Sequence, residues 1–310
     1  MKTCLSKLLE ILFNHSFRNG CVPDQLKLAN VIPVHKKDSV TLLTNYRPIS
    51  LLSVFNKILE KLMYKRLIAF INKYNILYEK QFGFREGHST VHAALLITDH
   101  IQKVIEEGQF SCGIFLDFSK ALDTVNHGIL LKKLSHYGIR GIANQWFSSY
   151  LSNRSQSVAI GNTYSESLGV SNGVPQGSVL GPLLFLIYIN DFYRCSQFFN
   201  FHIFADDTNL FASHTSLQTL EKSINENLTF VSNWLTANKL SLNIDKTNFI
   251  IFHPPQKATN YNVRLVINGQ SIEKAKCIKY LGILIDSHLS WKQHILHISR
   301  KVKSQKSDIM

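Results

Sequence analysis

Apolar residues at positions 5, 8, 9 and 12, interrupted by Lys7 and Glu10, recur at helical spacing. They predict an amphipathic helix over 3–17 that closes near Asn19-Gly20. Residues 28–34 read as a short strand and 36–48 as a polar loop. The stretch 54–71 predicts a strong helix, with Phe55, Ile58, Leu59, Leu62, Met63, Leu67 and Phe70 on its apolar side. Its polar side carries Lys57, Lys61 and Lys65 at successive i,i+4 positions, where like charges repel unless an anion lies nearby. A second helix is expected over 89–107, then an unbroken apolar strand over 110–116 that runs into Asp117. Helices follow at 129–137 and 142–151, and a strand pair at 157–160 and 164–170 is joined by Gly161-Asn162. After a loop over 171–178 comes an apolar helix over 179–191. Residues 201–212 read as a hairpin around Asp206-Asp207, 217–238 as a helix, and 248–252 and 263–267 as strands. Helix-rich first, then strand–helix–hairpin–helix–strand, is an α+β layout with an antiparallel sheet.

Composition narrows the class. The chain has 310 residues, 45% of them hydrophobic and 18% charged, which is globular and excludes a disordered chain. Cys4, Cys21, Cys112, Cys195 and Cys277 are odd in number and scattered, against a disulfide framework or a zinc site. The longest apolar run, 179–189, is too short for a bilayer and contains Gly181 and Pro182. The start of the chain lacks the pattern of a signal peptide, so an intracellular setting, nucleus and/or cytoplasm, is expected, with no membrane partner.

The formal charge is +13, and its distribution is more informative. From Lys27 to Arg85 there are eleven basic and three acidic residues; from Lys274 to Lys306 there are eight and one. The stretch between, from Glu86 to Glu273, has twelve basic and fourteen acidic residues. Basic flanks suit a polyanion such as nucleic acid.

Two carboxylate sites terminate apolar strands: Asp117 after Ile114-Phe115-Leu116, and Asp206-Asp207 after Phe204-Ala205. Ionised carboxylates beside buried strands are costly unless paired or coordinated. Brought side by side, they would hold divalent cations through oxygen, as in two-metal phosphoryl transfer. Adjacent residues on a flat strand face opposite ways, so Asp206 and Asp207 share a site only if the hairpin bends there. Spacing alone leaves open which two-metal enzyme this is.

Several boxes carry a family resemblance. Phe204-Ala205-Asp206-Asp207 resembles the F/Y-x-D-D box of reverse transcriptases. The run Leu116-Asp117-Phe118-Ser119-Lys120-Ala121-Leu122-Asp123 resembles motif A of non-LTR (LINE-type) retrotransposon enzymes, and Gly173-Val174-Pro175-Gln176-Gly177-Ser178 their motif B. Asn45-Tyr46-Arg47-Pro48 and Gln81-Phe82-Gly83-Phe84-Arg85 resemble their finger blocks. Trp234, Asn238, Leu240, Asn243, Lys246 and Thr247 match the W-x3-N-x-L-x2-N-x2-K-T spacing before the last palm strand, and Tyr280-Leu281-Gly282 the primer grip. The likeness covers about residues 24–300, in the family's order.

The resemblance implies a right-hand polymerase fold, helix-rich fingers plus a palm with an antiparallel sheet, and a thumb largely absent. Fingers would take 1–108, the palm with motif A 109–127, a fingers/palm connection 128–165, the palm with its later motifs 166–275, the primer grip 276–290 and the start of a thumb 291–310. The implied activity is RNA-directed DNA synthesis from a primer 3′-hydroxyl with two Mg²⁺ ions, for which Mn²⁺ can substitute. Asp117, Asp206 and Asp207 would be catalytic and metal-binding, with the Phe118 backbone beside them. Lys36 or Lys37, Arg47, Leu122, Gln176, Gly177 and Lys246 would bind the nucleotide, Lys246 as an acid for pyrophosphate. Tyr280, Leu281 and Gly282 would grip the primer. Partners would be an RNA template, a DNA primer or RNA–DNA duplex, and dNTPs, with no zinc.

Two departures stand out. Leu122 occupies the place, five residues after Asp117, where the family usually has Phe or Tyr to exclude a ribose 2′-hydroxyl. The motifs also begin within the fingers and end just after the primer grip, without the endonuclease domain usual in the same polyprotein, so a truncated copy is expected. Two rival readings are a co-opted nucleic-acid-binding module without polymerase activity and an RNA-dependent RNA polymerase. His88 with His92, and His294 with His297, have metal-compatible spacing but no third ligand in sequence.

Overall fold

Residues Phe110–Leu116 are apolar or small at every position, as a strand covered on both faces must be. In the computed structural model they form the central strand of a five-stranded sheet, and all seven are buried. The structure describes residues 2–36, 38–257 and 261–307. The chain folds as two compact units, each built from two stretches: Met1–Leu77 with Lys120–Asn190, and Tyr78–Ser119 with Asp191–Met310.

The first unit opens with helix α1 (Lys2–Asn19), strand β1 (Leu28–His35), strand β2 (Tyr46–Leu52) and helix α2 (Val54–Lys73). The chain then enters the second unit as α3 (Thr90–Glu106) and β3 (Phe110–Leu116). It returns as α4 (His127–His136), α5 (Ile142–Leu151), β4 (Arg154–Ile160), β5 (Thr163–Tyr164), β6 (Leu168–Val170) and α6 (Gly181–Ile189). The rest belongs to the second unit: β7 (Asn200–Phe204), β8 (Asp207–His214), α7 (Leu217–Ala237) and β9 (Asn248–Phe252). Four short strands, β10 (Val266–Ile267), β11 (Gln270–Ser271), β12 (Glu273–Lys274) and β13 (Cys277–Tyr280), lead to β14 (Ile283–Asp286) and α8 (Lys292–Ser307). Helix starts follow the side chains: Ser53, Ser89, Asn126 and Ser216 each accept a backbone N–H from the first turn of α2, α3, α4 and α7. Among the described residues no helix is long and apolar enough to cross a membrane.

In the first unit, β1 pairs antiparallel with β2 and parallel with β4, and β5 and β6 both pair with β4. The strand β2 corrects the last three residues, 46–48, of the expected loop over 36–48. It is an edge strand whose Pro48 stands opposite Pro33, and prolines are tolerated where no ladder donor is needed. In α2 the buried stripe is Asn56, Leu59, Glu60, Met63, Leu67 and Ile71. Phe55, Ile58 and Leu62, expected in the core, are instead 44%, 36% and 38% exposed. Two polar side chains displace them because they have partners inside. Glu60 Oε1 accepts from Tyr150 Oη at 2.8 Å and Asn56 Nδ2 at 3.0 Å, and Oε2 accepts from the Val179 N–H at 2.6 Å.

In the second unit the strand order is β12-β9-β3-β8-β7, antiparallel except for β12 on β9. Ala93, Ile97 and Ile101 of α3 pack with Phe115, Phe211, Ile250, Phe252, Tyr280 and Ile285 in one apolar cluster. The expected strand over 263–267 shortens to the two residues of β10.

The units divide the chain differently from the expected domain boundaries. Residues 78–108, expected in the fingers, belong with the five-stranded sheet of the second unit, because Gln81 bridges β7 at Ile203 and α3 packs on β3. Motif B, expected in the palm, belongs to the first unit, where Ser50 N donates to Gln176 O at 2.7 Å.

Candidate active site

The sheet register brings the carboxylates together. Strand β3 pairs antiparallel with β8 as far as Leu116 opposite Thr208. One position further along that ladder stand Asp117 and Asp207. Cross-strand Cβ atoms in such pairs lie about 4.5–5.5 Å apart. Strands β7 and β8 form a hairpin closed by the pair Phe204 and Asp207, so the two-residue turn is Ala205-Asp206. Asp206 therefore sits in the turn and Asp207 opens β8. The bend needed for both to share one region falls one residue earlier than the centre expected from sequence.

Electrostatics records this crowding. Burial, and then the charges of Asp206 and Asp117, push the Asp207 carboxyl up to about 6. Carboxylates gathered this way offer hard-oxygen ligands suited to a divalent cation. Among the described residues no three His, Cys, Asp or Glu side chains converge as a preformed metal cage. A site completed by substrate phosphates, with only a few protein carboxylates, needs none.

Asp117 is held from its own backbone. Its carbonyl accepts from Asn243 N at 2.8 Å, and its N–H donates to Thr247 Oγ1 at 3.3 Å. Thr247, fully buried, donates its hydroxyl to Asn243 O at 2.9 Å. Ser119 N donates to Ser241 O at 2.8 Å, making an antiparallel bridge between Phe118 and Leu242. The two bonds of that bridge run through residues 117, 119, 241 and 243, so it does not use the carbonyl of Phe118. The Phe118 ring is buried edge-to-face on Phe192, 6.1 Å between centroids. Asn243 and Thr247 thus support the site. Their signal in sequence was the W-x3-N-x-L-x2-N-x2-K-T spacing, which named them without giving them a role.

Lys246 lies exposed in the short turn just before Thr247. In the primer-grip segment, Tyr280 is 3% exposed, and its ring meets Phe115 edge-on at 5.9 Å. Burial, and then the charge of Asp207, push its phenol well up. That side chain serves the core. The β13–β14 turn is Leu281-Gly282, with φ of 44° and 95°; Leu281 is half-buried against the apolar cluster and Gly282 is exposed.

The other nucleotide-binding candidates belong to the first unit. Gln176 donates Nε2 to Asp123 Oδ1 at 2.8 Å, so one of its amide atoms is already engaged. Gly177 has φ of 108°, and a Cβ there would come within 2.9 Å of Ser50 O, which is why only glycine fits. Leu122 is half-buried, and its carbonyl accepts from Val174 N at 2.9 Å. Arg47 and Lys36 are exposed on and beside β1–β2, and Lys37 lies outside the described residues. Asp123 thus orients a candidate nucleotide contact.

An antiparallel sheet whose central strand and adjoining hairpin deliver carboxylates to one end is the palm of a nucleotidyltransferase of the templated-polymerase class. The chain belongs to the reverse transcriptase (RNA-dependent DNA polymerase) family, whose sequence model matches residues 34–285. It is 30% identical over 94% of its length to a probable RNA-directed DNA polymerase from transposon BS of Drosophila melanogaster. It is 28% identical over 96% of its length to the RNA-directed DNA polymerase from mobile element jockey of the same species. Both relatives come from non-LTR retrotransposons, and the chain spans 33% of each. Among solved structures, telomerase from Candida albicans matches with a TM-score of 0.59 at 14% identity, covering 92% of this chain and 48% of that one. Apo telomerase from Candida tropicalis matches with a TM-score of 0.59, covering 93% and 59%. These likenesses show the fold. Members of the family generally use divalent metal ions.

Proposed function

We propose that this chain is the fingers-and-palm part of a non-LTR retroelement polymerase that copies RNA into DNA. The observation that carries the reading is the register of β3 on β8, which sets Asp117 next to Asp207 with Asp206 in the adjoining turn. In this reading the primer 3′-oxygen attacks the α-phosphorus of a dNTP. A new P–O bond forms as the bond to the β-phosphate oxygen breaks, and pyrophosphate leaves. Two Mg²⁺ ions, or Mn²⁺ in their place, would lower the pKa of the attacking hydroxyl and neutralise charge on the leaving oxygen.

Asp117 and Asp206 are the direct metal ligands in this proposal, and Asp207 sets the charge around them. The Phe118 carbonyl is a further oxygen for the metal or triphosphate. Arg47, with Lys36 or Lys37, binds triphosphate oxygens, a task suited to fixed guanidinium geometry. Gln176 and Gly177 lie against nucleotide and template, Leu122 against the sugar. Lys246 gives a proton to pyrophosphate. The turn Leu281-Gly282 meets the primer. Template RNA and an RNA–DNA duplex are the macromolecular ligands, supported by the excess of eleven basic over three acidic residues between Lys27 and Arg85. The setting is intracellular, nucleus and/or cytoplasm.

The test is dNTP incorporation on an RNA template with a DNA primer, in Mg²⁺ and in Mn²⁺, for the native chain and Asp206→Asn. Metal-dependent extension that Asp206→Asn abolishes is the expected result. RNA binding without extension would replace this reading with a binding module, and ribonucleotide addition with an RNA polymerase.

A further inference from the structure

The block Gln81-Phe82-Gly83-Phe84-Arg85 lies under the catalytic hairpin. Residues 80–82 run parallel to β7, which is the edge of its sheet, with Phe82 N donating to Ile203 O at 2.8 Å and Ile203 N to Lys80 O at 2.9 Å. Gln81 is 2% exposed. Its Oε1 accepts two backbone N–H groups, from Gly83 at 2.9 Å and from Ala205 at 3.0 Å. Arg85 locks the loop from the other side, donating Nη1 to Tyr78 O at 3.0 Å and Gln81 O at 2.9 Å.

Ala205 is the residue before Asp206, and its φ is 56°. That left-handed conformation is unfavourable for alanine, and a two-residue hairpin turn of this kind usually places glycine there. The strain persists only if neighbours hold it. Gly83 is pressed against the same residue: a Cβ on it would come within 2.4 Å of Ala205 N and 2.8 Å of Ala205 Cβ. The glycine is required by close approach, since its own φ is not in the left-handed region.

We propose that Gln81 and Gly83 are positioning residues for Asp206. Gln81 holds the strained Ala205 peptide through its amide oxygen, and Gly83 lets the two backbones approach, so that the turn carries Asp206 at one fixed place. This rests on the polymerase reading above. An alanine in the turn, held from outside, has fewer alternative conformations than a free glycine turn would, and a catalytic carboxylate needs that definition.

The experiment compares Gln81→Leu, Gly83→Ala, Ala205→Gly and the double variants in the full chain. Gln81→Leu is expected to lower kcat about 10–100-fold, the usual size for losing a group that orients a metal ligand. KM for dNTP should change less than about twofold, since no nucleotide contact is removed. Adding Ala205→Gly to Gln81→Leu should recover about tenfold of that kcat, because glycine adopts the turn unaided. It should not rescue Gly83→Ala, whose clash is with the Ala205 backbone nitrogen. A purely structural role would lower stability without this selective rescue. Wild-type kcat in Gln81→Leu, or no rescue by Ala205→Gly in a folded protein, overturns the proposal.

A second readout needs no activity. Amide hydrogen exchange at Ala205 should quicken about tenfold or more in Gln81→Leu, while Asn209 in the middle of β8 keeps its protection. Unchanged exchange at Ala205 overturns the proposal, and so does uniform loss across β7 and β8 in both Gln81→Leu and Gly83→Ala. If the wild-type chain does not extend primers, the polymerase reading fails by itself, and exchange at Ala205 still decides whether Gln81 holds the turn.

Discussion

Tyr150 donates its hydroxyl to Glu60 Oε1 at 2.8 Å, inside the first unit, where both residues are fully buried. This carboxylate joins three pieces of chain: α2, which carries it; α5, through Tyr150; and the residue that follows motif B, through the Val179 N–H. Tyr150 is in turn stacked on Trp146, 5.5 Å between centroids, and the Arg154 guanidinium lies 5.0 Å over its ring. Glu60 is how α2 holds the segment that follows Gln176 and Gly177.

Burial pushes the Glu60 carboxyl above its ordinary value, against the hydrogen bonds from Tyr150, Val179 and Asn56 and the charge of Arg154, which lower it. A raised folded-state pKa means that the native state binds more protons than the unfolded chain. The Glu60 contribution is therefore fully present below the ordinary carboxylate range and is lost as pH rises through the folded value. Denaturant melts across pH 4 to 8 should show wild type losing stability relative to Glu60→Gln as pH rises. Glu60→Leu, which leaves Tyr150, Asn56 and Val179 without their acceptor, should destabilise at every pH by about 3 kcal/mol. A Glu60→Leu protein as stable as wild type would remove Glu60 from this role.

Asp207 makes a different prediction. Its carboxyl is pushed up to about 6, first by burial and then by Asp206 and Asp117. In metal-free protein this carboxylate therefore opposes folding, increasingly as pH rises from its ordinary value to about 6 and fully above that. Asp207→Asn should stabilise the metal-free chain by about 1–2 kcal/mol at pH 7, allowing for partial solvent screening. Mn²⁺ or Mg²⁺ should raise the melting temperature of wild type more than that of the variant. Thermal melts with and without metal at pH 5 and pH 7 check both signs. Activity should fall in the same variant, the usual conflict between a charged site and a stable one.

The sugar contact proposed for Leu122 gives a further prediction. It stands half-buried in the short turn after motif A, tied to motif B through its carbonyl. Leucine has useful volume but no flat ring to lie behind a deoxyribose. Leu122→Phe should tighten discrimination against ribonucleotides by about tenfold, the order of effect for one shape change in an apolar pocket. The ratio of kcat/KM for dNTP and rNTP in the two proteins decides it, and equal ratios would leave Leu122 without this role.

Much of the molecule was written locally. The strand Phe110–Leu116 was legible because every position suits a covered strand, and α2 because apolar residues recur along it at helical spacing. The carboxylates Asp117, Asp206 and Asp207 were legible as strand-end residues within recognisable boxes. What misled was burial decided by distant partners. Phe55, Ile58 and Leu62 looked like the core face of α2, whereas Asn56 and Glu60 are inside it, because residues some 90 positions and more away satisfy Glu60. Residues 46–48 looked like the end of a loop because Pro48 hides a strand that pairs only at one edge.

The sequence by itself determined most of the elements, the family and the identity of the acidic residues, since these depend on side-chain type and short spacing. Only the tertiary structure decided which of them act together. Register across β3 and β8, with sequence separations near 90, is what sets Asp117 beside Asp207. The same holds for Gln81 under Ala205, 124 residues apart, where a single amide oxygen and an absent Cβ shape the turn that bears Asp206. Those relations are made of hydrogen-bond directions and close backbone approach, and neither leaves a periodic trace along the chain.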